Sequence, residues 1–196
     1  MYLRTKRRKN KEGKERAYLY LAKIIYRKKG RPPKQKIIAY LGPVIAGMNS
    51  KKVQPEPKNW TENASFQETL KKTMSSTLLA SGFFCHLPGV FLIEDQHERV
   101  IVDINNQTIQ NKRGLKVCLA LNNGFLCDFT LQRLLSQNLP ETTEKGLGKH
   151  LAKSLIEAGV EIEKELFFIL FQKLKDGLRN QTKPNNSQQS TTNANL

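Results

Sequence analysis

The stretch AYLYLAKIIYRKKGRPPKQKIIAYLG, residues 17–42, contains two apolar runs joined by a basic turn. Residues 17–27 and 34–41 are rich in Tyr and Ile, and Gly30 with the prolines that follow it separates them, which predicts a β-hairpin. Alternation along the first strand gives one face the residues Tyr18, Tyr20, Ala22, Ile24 and Tyr26. Because both faces are largely apolar and an isolated hairpin is only marginally stable, one face is expected to pack on the rest of the chain.

The positive charge of the chain is concentrated around this hairpin. Residues 1–58 hold 18 Lys or Arg and three acidic residues, a net charge of +15, whereas residues 59–196 hold 15 basic and 14 acidic residues, a net charge of +1. A coat that only aids solubility would be distributed more evenly. Charge confined to one end favours a polyanionic partner, because neutralising phosphates releases their counterions. The alternative is a solvated basic arm without a specific partner.

The hairpin and the residues before it contain the candidate binding groups. Arg and Lys at a turn can reach phosphates, and neighbouring tyrosines can stack on bases. Most of the tyrosines are expected to be ordinary strand residues, and Tyr26, nearest the turn, is the one best placed for contact. The candidate nucleic-acid-binding residues are Arg4, Lys6, Arg7, Arg8, Lys9, Tyr26, Arg27, Lys28, Lys29, Arg31, Lys34 and Lys36.

Composition divides the chain into four parts. Residues 1–43 form a basic module, in which a charged arm over residues 1–16 precedes the hairpin. Residues 44–62, rich in Gly, Asn and Pro, indicate a linker. An α+β domain follows over residues 63–178. Residues 179–196 are almost all polar and cannot bury enough apolar surface to offset their ordering entropy, which predicts a disordered tail.

Several elements of the α+β domain are predicted by their patterns. Apolar residues recur every four positions over 64–81, which predicts a helix, and two more helices are predicted near the end of the domain, the first stopping at Gly159. Two hairpins are predicted within residues 90–104 and 116–129, the second with an Asn-Gly turn. Asp128 is expected to cap a short helix that ends near residue 136. The fold class is therefore α+β, with a small antiparallel sheet and three or four helices.

The hairpin also resembles a known family. The residue groups Tyr26-Arg27, Gly30-Arg31 and Tyr40-Leu41-Gly42 occur in an order that resembles the N-terminal segment of insertion-sequence transposases of the Asp-Asp-Glu type. The resemblance covers residues 1–45 only. It implies that this part of the chain is a basic module associated with DNA.

The rest of the chain departs from those transposases, which carry a much longer ribonuclease-H-like domain with two aspartates and a glutamate on two metal ions. The carboxylates that could be assembled into such a triad are those of Asp103, Asp128 and Glu157. The chain between them is too short for the usual sheet, and we interpret them as surface and capping residues.

Cysteine usage and hydropathy limit the other functions. The three cysteines include no CxxC pair, which favours a reducing cytoplasm, and the spacing of Cys85, His86, Cys118 and Cys127 matches no standard zinc module. We therefore expect no metal and no cofactor. The basic start of the chain is not followed by an apolar segment of the kind found in signal peptides, so we expect none, and no apolar run is long enough to cross a membrane.

These observations lead to one principal hypothesis and two alternatives. The principal one is a non-catalytic, cytoplasmic nucleic-acid-binding protein, with DNA favoured by the transposase resemblance. The first alternative is an RNA- or ribosome-associated protein, since no base-reading motif separates DNA from RNA. The second is a metal-dependent nuclease or transposase remnant. The two C-terminal helices offer a surface for a protein partner or for self-association.

Overall fold

The computed structural model describes residues 1–9, 11–27, 31–46, 64–94, 98–136 and 143–181. Within these ranges the chain forms nine strands and four helices. The strands are β1 (Tyr2–Lys9), β2 (Glu15–Ile25), β3 (Lys34–Ala46), β4 (Phe84–Leu87), β5 (Val90–Glu94), β6 (Arg99–Asp103), β7 (Thr108–Asn111), β8 (Cys118–Leu121) and β9 (Gly124–Leu126). The helices are α1 (Phe66–Ala80), α2 (Asp128–Leu135), α3 (Glu144–Ala158) and α4 (Lys164–Gln181). The predicted α+β class is confirmed.

The strands form two sheets. One has the order β1-β2-β3-β8-β9 and the other the order β4-β5-β6-β7. All pairs are antiparallel except β3 with β8, which are parallel. We call β1, β2 and β3 the ribbon, and the remaining strands with the four helices the body. The ribbon is therefore joined to the body by a shared sheet.

The ribbon has one strand more than the predicted hairpin. Residues 2–9 pair with β2 along their whole length, from Tyr2 opposite Ala22 to Lys9 opposite Glu15. This corrects the prediction of a charged arm over residues 1–16. The five basic residues of this segment obscure the strand pattern, because no side chain of β1 is fully buried and the strand pairs with its neighbour through backbone hydrogen bonds.

β3 also differs from its predicted extent. It continues to Ala46, three residues into the predicted linker, because Val44–Ala46 pair with β8. Gly42 has a φ of +139°, and a Cβ at this position would lie 2.9 Å from the carbonyl oxygen of Lys116. A glycine is thus required where β3 leaves β2 and approaches β8. The rest of the predicted linker lies outside the described residues.

The helices agree with the sequence pattern except at their ends. α1 begins with a capping box in which the Ser65 hydroxyl accepts from the Glu68 N–H and the Glu68 carboxylate accepts from the Ser65 N–H. The prediction that Asp128 caps α2 is wrong, because the N-cap is Cys127. The carboxylate of Asp128 instead accepts from the backbone N–H of Ile109 at 2.7 Å. α4 continues through Gln181, into the predicted tail, and residues 182–196 lie outside the described part of the chain.

Both predicted hairpins of the body are confirmed, β5–β6 and β8–β9. The turn of the second is Asn122-Asn123 rather than Asn123-Gly124, and only Asn122 of the two has a positive φ. Gly124 is instead the first residue of β9, where a Cβ would lie 2.2 Å from the carbonyl oxygen of Ile156. Close packing of the hairpin against the end of α3 therefore explains this glycine.

Two apolar clusters hold the fold together. The larger lies within the body and joins the apolar faces of all four helices to the two sheets. The smaller lies where the ribbon meets the body, with Leu19, Cys118 and Cys127 buried at its centre and Phe125 and Phe129 packed against them. Among the helices of the described residues, none has both the length and the apolar character needed to cross a membrane.

Candidate nucleic-acid interface

A cluster of tyrosines lies on the outer face of the ribbon. The register places Tyr20 opposite Tyr40, and their ring centres are 5.4 Å apart, with Tyr18 at 6.3 Å from Tyr40. Tyr40 is 56% exposed. Partial burial, followed by the proximity of Tyr20 and Tyr18, raises the pKa of Tyr40 above its usual value, so its hydroxyl stays protonated. The Tyr40 ring therefore offers a neutral, accessible surface suited to stacking.

Two of the predicted cations lie on the same face as the tyrosines. The Lys6 ammonium is 5.4 Å from the centre of the Tyr20 ring, a cation–π contact. The Arg4 guanidinium donates a hydrogen bond to the side-chain oxygen of Gln35 on β3. To reach β3 from β1 it must cross β2 near Ala22, which is completely buried. Both side chains are held half-buried against the sheet, so they have less conformational entropy to lose on binding.

The other predicted residues are distributed between the two ends of the ribbon. Arg7, Arg8 and Lys9 lie at the β1–β2 end, and Arg27, Arg31 and Lys34 lie at the opposite end. These ends are about 33 Å apart, the length of β2 at the usual rise per residue. All six side chains are exposed, as is that of Tyr26. The structure thus does not bring the predicted residues into one cluster, and Lys28 and Lys29 lie outside the described residues.

Like charges face one another across neighbouring strands of the ribbon. Arg8 lies opposite Arg16 and Lys23 lies opposite Lys36. Like charges directly opposite each other in a sheet are destabilising. An anion bound between them would relieve this repulsion.

Sequence reasoning did not identify the tyrosine cluster of this candidate interface. It predicted only Tyr26 as an aromatic contact, whereas Tyr18, Tyr20 and Tyr40 form the cluster. The alternation of side chains over residues 2–8 and 16–22 indicates which of these residues share a face. It identifies the cluster only once β1 is known to pair with β2. Cations of the body also approach the β1–β2 end of the ribbon, and the chief ones are Arg99, Lys112 and Arg113.

The carboxylates considered for a catalytic triad are separately engaged. Asp103 accepts from Asn106 within a turn, and Asp128 pairs with Lys116 at 2.9 Å. Glu157 pairs with Arg133 at 2.7 Å. Each of the three carboxylates thus makes a structural contact, and the three contacts lie in different places in the body.

The residues considered for zinc are also separated. Cys85 and His86 lie on β4, in the four-stranded sheet, whereas Cys118 is buried on β8 of the other sheet and contacts Cys127, the buried N-cap of α2. The hydrogen bond from the Cys118 thiol to the Cys127 sulfur raises the pKa of Cys118 and lowers the pKa of Cys127 to about 7. In the described part of the chain, no group of three or more His, Cys, Asp or Glu residues could hold a metal ion.

No protein-family model, no curated protein and no solved structure matches this chain. The similarity of residues 1–45 to transposase N-termini therefore stays a prediction.

Proposed function

We propose that this protein binds nucleic acid through the outer face and the basic ends of the ribbon, without catalysing a reaction, and that DNA is the preferred ligand. The observation that supports the proposal is the placement of Arg4 and Lys6 beside three tyrosines on one accessible face. Cations there can neutralise phosphates, while the rings can stack on bases, a contribution of about 1–3 kcal/mol per base. The preference for DNA comes only from the transposase resemblance.

The like-charged pairs strengthen this proposal. A sheet selected only for stability would place carboxylates opposite Arg8 and Lys23. The ribbon instead has Arg16 and Lys36 at these positions. Arranging cations for a ligand at some cost in stability is a common feature of binding sites. The same groups would serve RNA, which is why the test includes it.

The proposal is tested by competitive binding of duplex DNA, single-stranded DNA and structured RNA of equal length at two salt concentrations. We expect affinity for DNA to fall steeply with salt, by a slope of about −0.9 per contacted phosphate in log–log form for duplex. Preference for structured RNA over both DNA forms would favour the RNA-associated alternative. Absence of binding to all three at low salt would overturn the proposal.

Variants of the face make the test specific. The pair Lys6→Ala and Tyr40→Ala should lower affinity at least about tenfold, through one lost phosphate contact and one lost stacking surface. Tyr40→Phe, which keeps the ring, should bind as the wild type does. The matched charge control is Lys149→Ala, because Lys149 is exposed on α3. An equal loss of affinity in this control would mean that binding depends on net charge alone and that the face of the ribbon has no specific role.

A further inference from the structure

A cleft of about 790 Å³ lies between the β1–β2 end of the ribbon and the edge of the four-stranded sheet. Its walls carry five cations, two from the ribbon and three from the body. These are Arg7, Arg16, Arg99, Lys112 and Arg113. The carboxylates in the lining are those of Glu15 and Glu98, so the cleft is positively charged overall.

Three of the cations are available to a ligand. Arg7 pairs with Glu15 at 3.6 Å, and Arg99 pairs with Glu94 at 3.3 Å. By contrast, Arg16, Lys112 and Arg113 form no ion pair with any described carboxylate. Arg16 belongs to the ribbon wall and the other two to the body wall, so an anion in the cleft could be contacted from both sides.

The body wall is a preformed turn. The side-chain oxygen of Asn111 accepts from the backbone N–H groups of Arg113 and Leu115, each at 3.0 Å. Gly114 has a φ of +74°, and its N–H donates to the carbonyl oxygen of Asn111 at 2.9 Å. The Lys112 N–H donates to the carbonyl oxygen of Arg99. These bonds fix the backbone that carries Lys112 and Arg113, which lowers the entropy cost of binding through them.

The lining between the charged walls is apolar. Val44 and Ile45 of β3 and Leu115 contribute to it, and Leu115 is 59% exposed. A cleft of this volume lies in the range that encloses a drug-sized molecule, about 300–1,000 Å³. It can therefore admit a nucleotide or two but not a duplex. Cationic walls beside an apolar surface match the phosphates and the bases of a single strand.

We propose that this cleft binds an unpaired stretch of a nucleic acid whose remaining part lies on the ribbon, with phosphates at Arg16, Lys112 and Arg113 and bases against Leu115. The inference rests on the proposed function, because Arg7 and Arg16 belong to both the cleft and the basic end of the ribbon. It assigns to the body a direct part in binding that the charge distribution alone did not indicate.

The test uses the full chain with the double substitution Lys112→Ala and Arg113→Ala. The probes are a labelled twelve-nucleotide oligothymidine and a hairpin duplex without unpaired ends. We expect the affinity for oligothymidine to fall at least about tenfold and its salt slope to fall by about 1.4, or about 0.7 per lost phosphate contact. Affinity for the duplex should fall less than about twofold, as in the control Lys145→Ala and Lys149→Ala, which removes the same charge from α3.

The outcomes separate this inference from the proposed function. Unchanged oligothymidine binding by the variant, or an equal loss for both probes, would overturn the inference and leave the ribbon proposal standing. Failure of the wild type to bind either probe would overturn the proposed function itself. Displacement of oligothymidine by polyglutamate at an equal concentration of charge would also overturn the inference, since the cleft would then accept any polyanion. Should the double variant fail to fold, the single substitution Arg113→Ala on the body wall provides the same comparison, with Lys149→Ala as its control.

Discussion

The ribbon and the body achieve their folds by different means. In the ribbon the buried hydrophobic side chains are Leu19, Leu21 and Ala22, and the other described residues are mostly exposed or half-buried. In the body a large apolar cluster reaches from α1 to α4. The ribbon is thus held by backbone hydrogen bonds and by its contact with the body. This leaves most of its side chains free to present charge and aromatic rings.

The largest loss of stability is expected when a glycine of the body is replaced, and a glycine of the ribbon provides the comparison. Gly124→Ala would place a Cβ 2.2 Å from the carbonyl oxygen of Ile156 and 2.3 Å from the nitrogen of Gly159, where backbone atoms on both elements must move. We expect the free energy of unfolding in urea to fall by about 3 kcal/mol or more. In Gly13→Ala, in the β1–β2 turn, the added Cβ would meet no atom within 4 Å, and the cost comes only from the φ of +77°, which an L side chain disfavours. This substitution should cost about 1–2 kcal/mol, and equal losses would contradict the contrast.

A second substitution weakens the contact between the two regions. Leu19 is completely buried against Cys118 and Cys127, so Leu19→Ala should cost about 2–5 kcal/mol. The exposed Cys85 is first replaced by Ser, so that alkylation measures only the accessibility of the two buried cysteines. We expect alkylation of Cys118 and Cys127 in native conditions to become faster while the helical circular dichroism stays unchanged, because the ribbon separates from an intact body.

The control for this experiment is Leu131→Ala, which lies in the core of the body. It should lower the midpoint of the helical transition and the onset of labelling together. If Leu19→Ala behaved in the same way, with labelling only on global unfolding, ribbon and body would be a single cooperative unit and our comparison would fail.

The smallest expected effect concerns a carboxylate in each region. Hydrogen bonds from Ser65 lower the pKa of Glu68 below its usual value of 4.5. A pKa lowered in the folded state gives stability that is present above the unfolded value and is lost as the pH falls through the folded one. Glu68→Gln should therefore lower the melting temperature slightly at neutral pH and leave it unchanged in strong acid. Glu15→Gln in the ribbon removes only an exposed ion pair with Arg7, so its effect should be smaller still.

The elements that sequence reasoning predicted best are those whose pattern is local. α1 and α3 have apolar residues at helical spacing and a clear end at each terminus, so nothing distant is needed to define them. β1 is the opposite case, because its evidence lies in its register with β2 and not in its own residues. The turn Asn122-Asn123 was misplaced by one residue because packing against Gly159, far along the chain, decides which residue must be glycine.

The candidate site was predictable only in part. The basic residues of the ribbon follow from charge counting, but their division between two ends does not, because it depends on the pairing of β1 with β2. The cleft was not predictable, because it joins Arg16 to Lys112 and Arg113, nearly a hundred positions away, through the pairing of β3 with β8. No periodicity or motif in the sequence reports that pairing.

The pairing of β3 with β8 also has a consequence during synthesis of the chain. The three strands of the ribbon are neighbours in sequence and can assemble as soon as they leave the ribosome, whereas β8 follows about 70 residues later. At ordinary rates of translation this gap lasts about 4–15 s. Throughout that interval Val44 and Ile45 belong to an unpaired, apolar sheet edge, the kind of surface on which nascent chains aggregate. Nascent ribbons therefore depend on rapid completion of the body, or on a chaperone that covers this edge until β8 arrives.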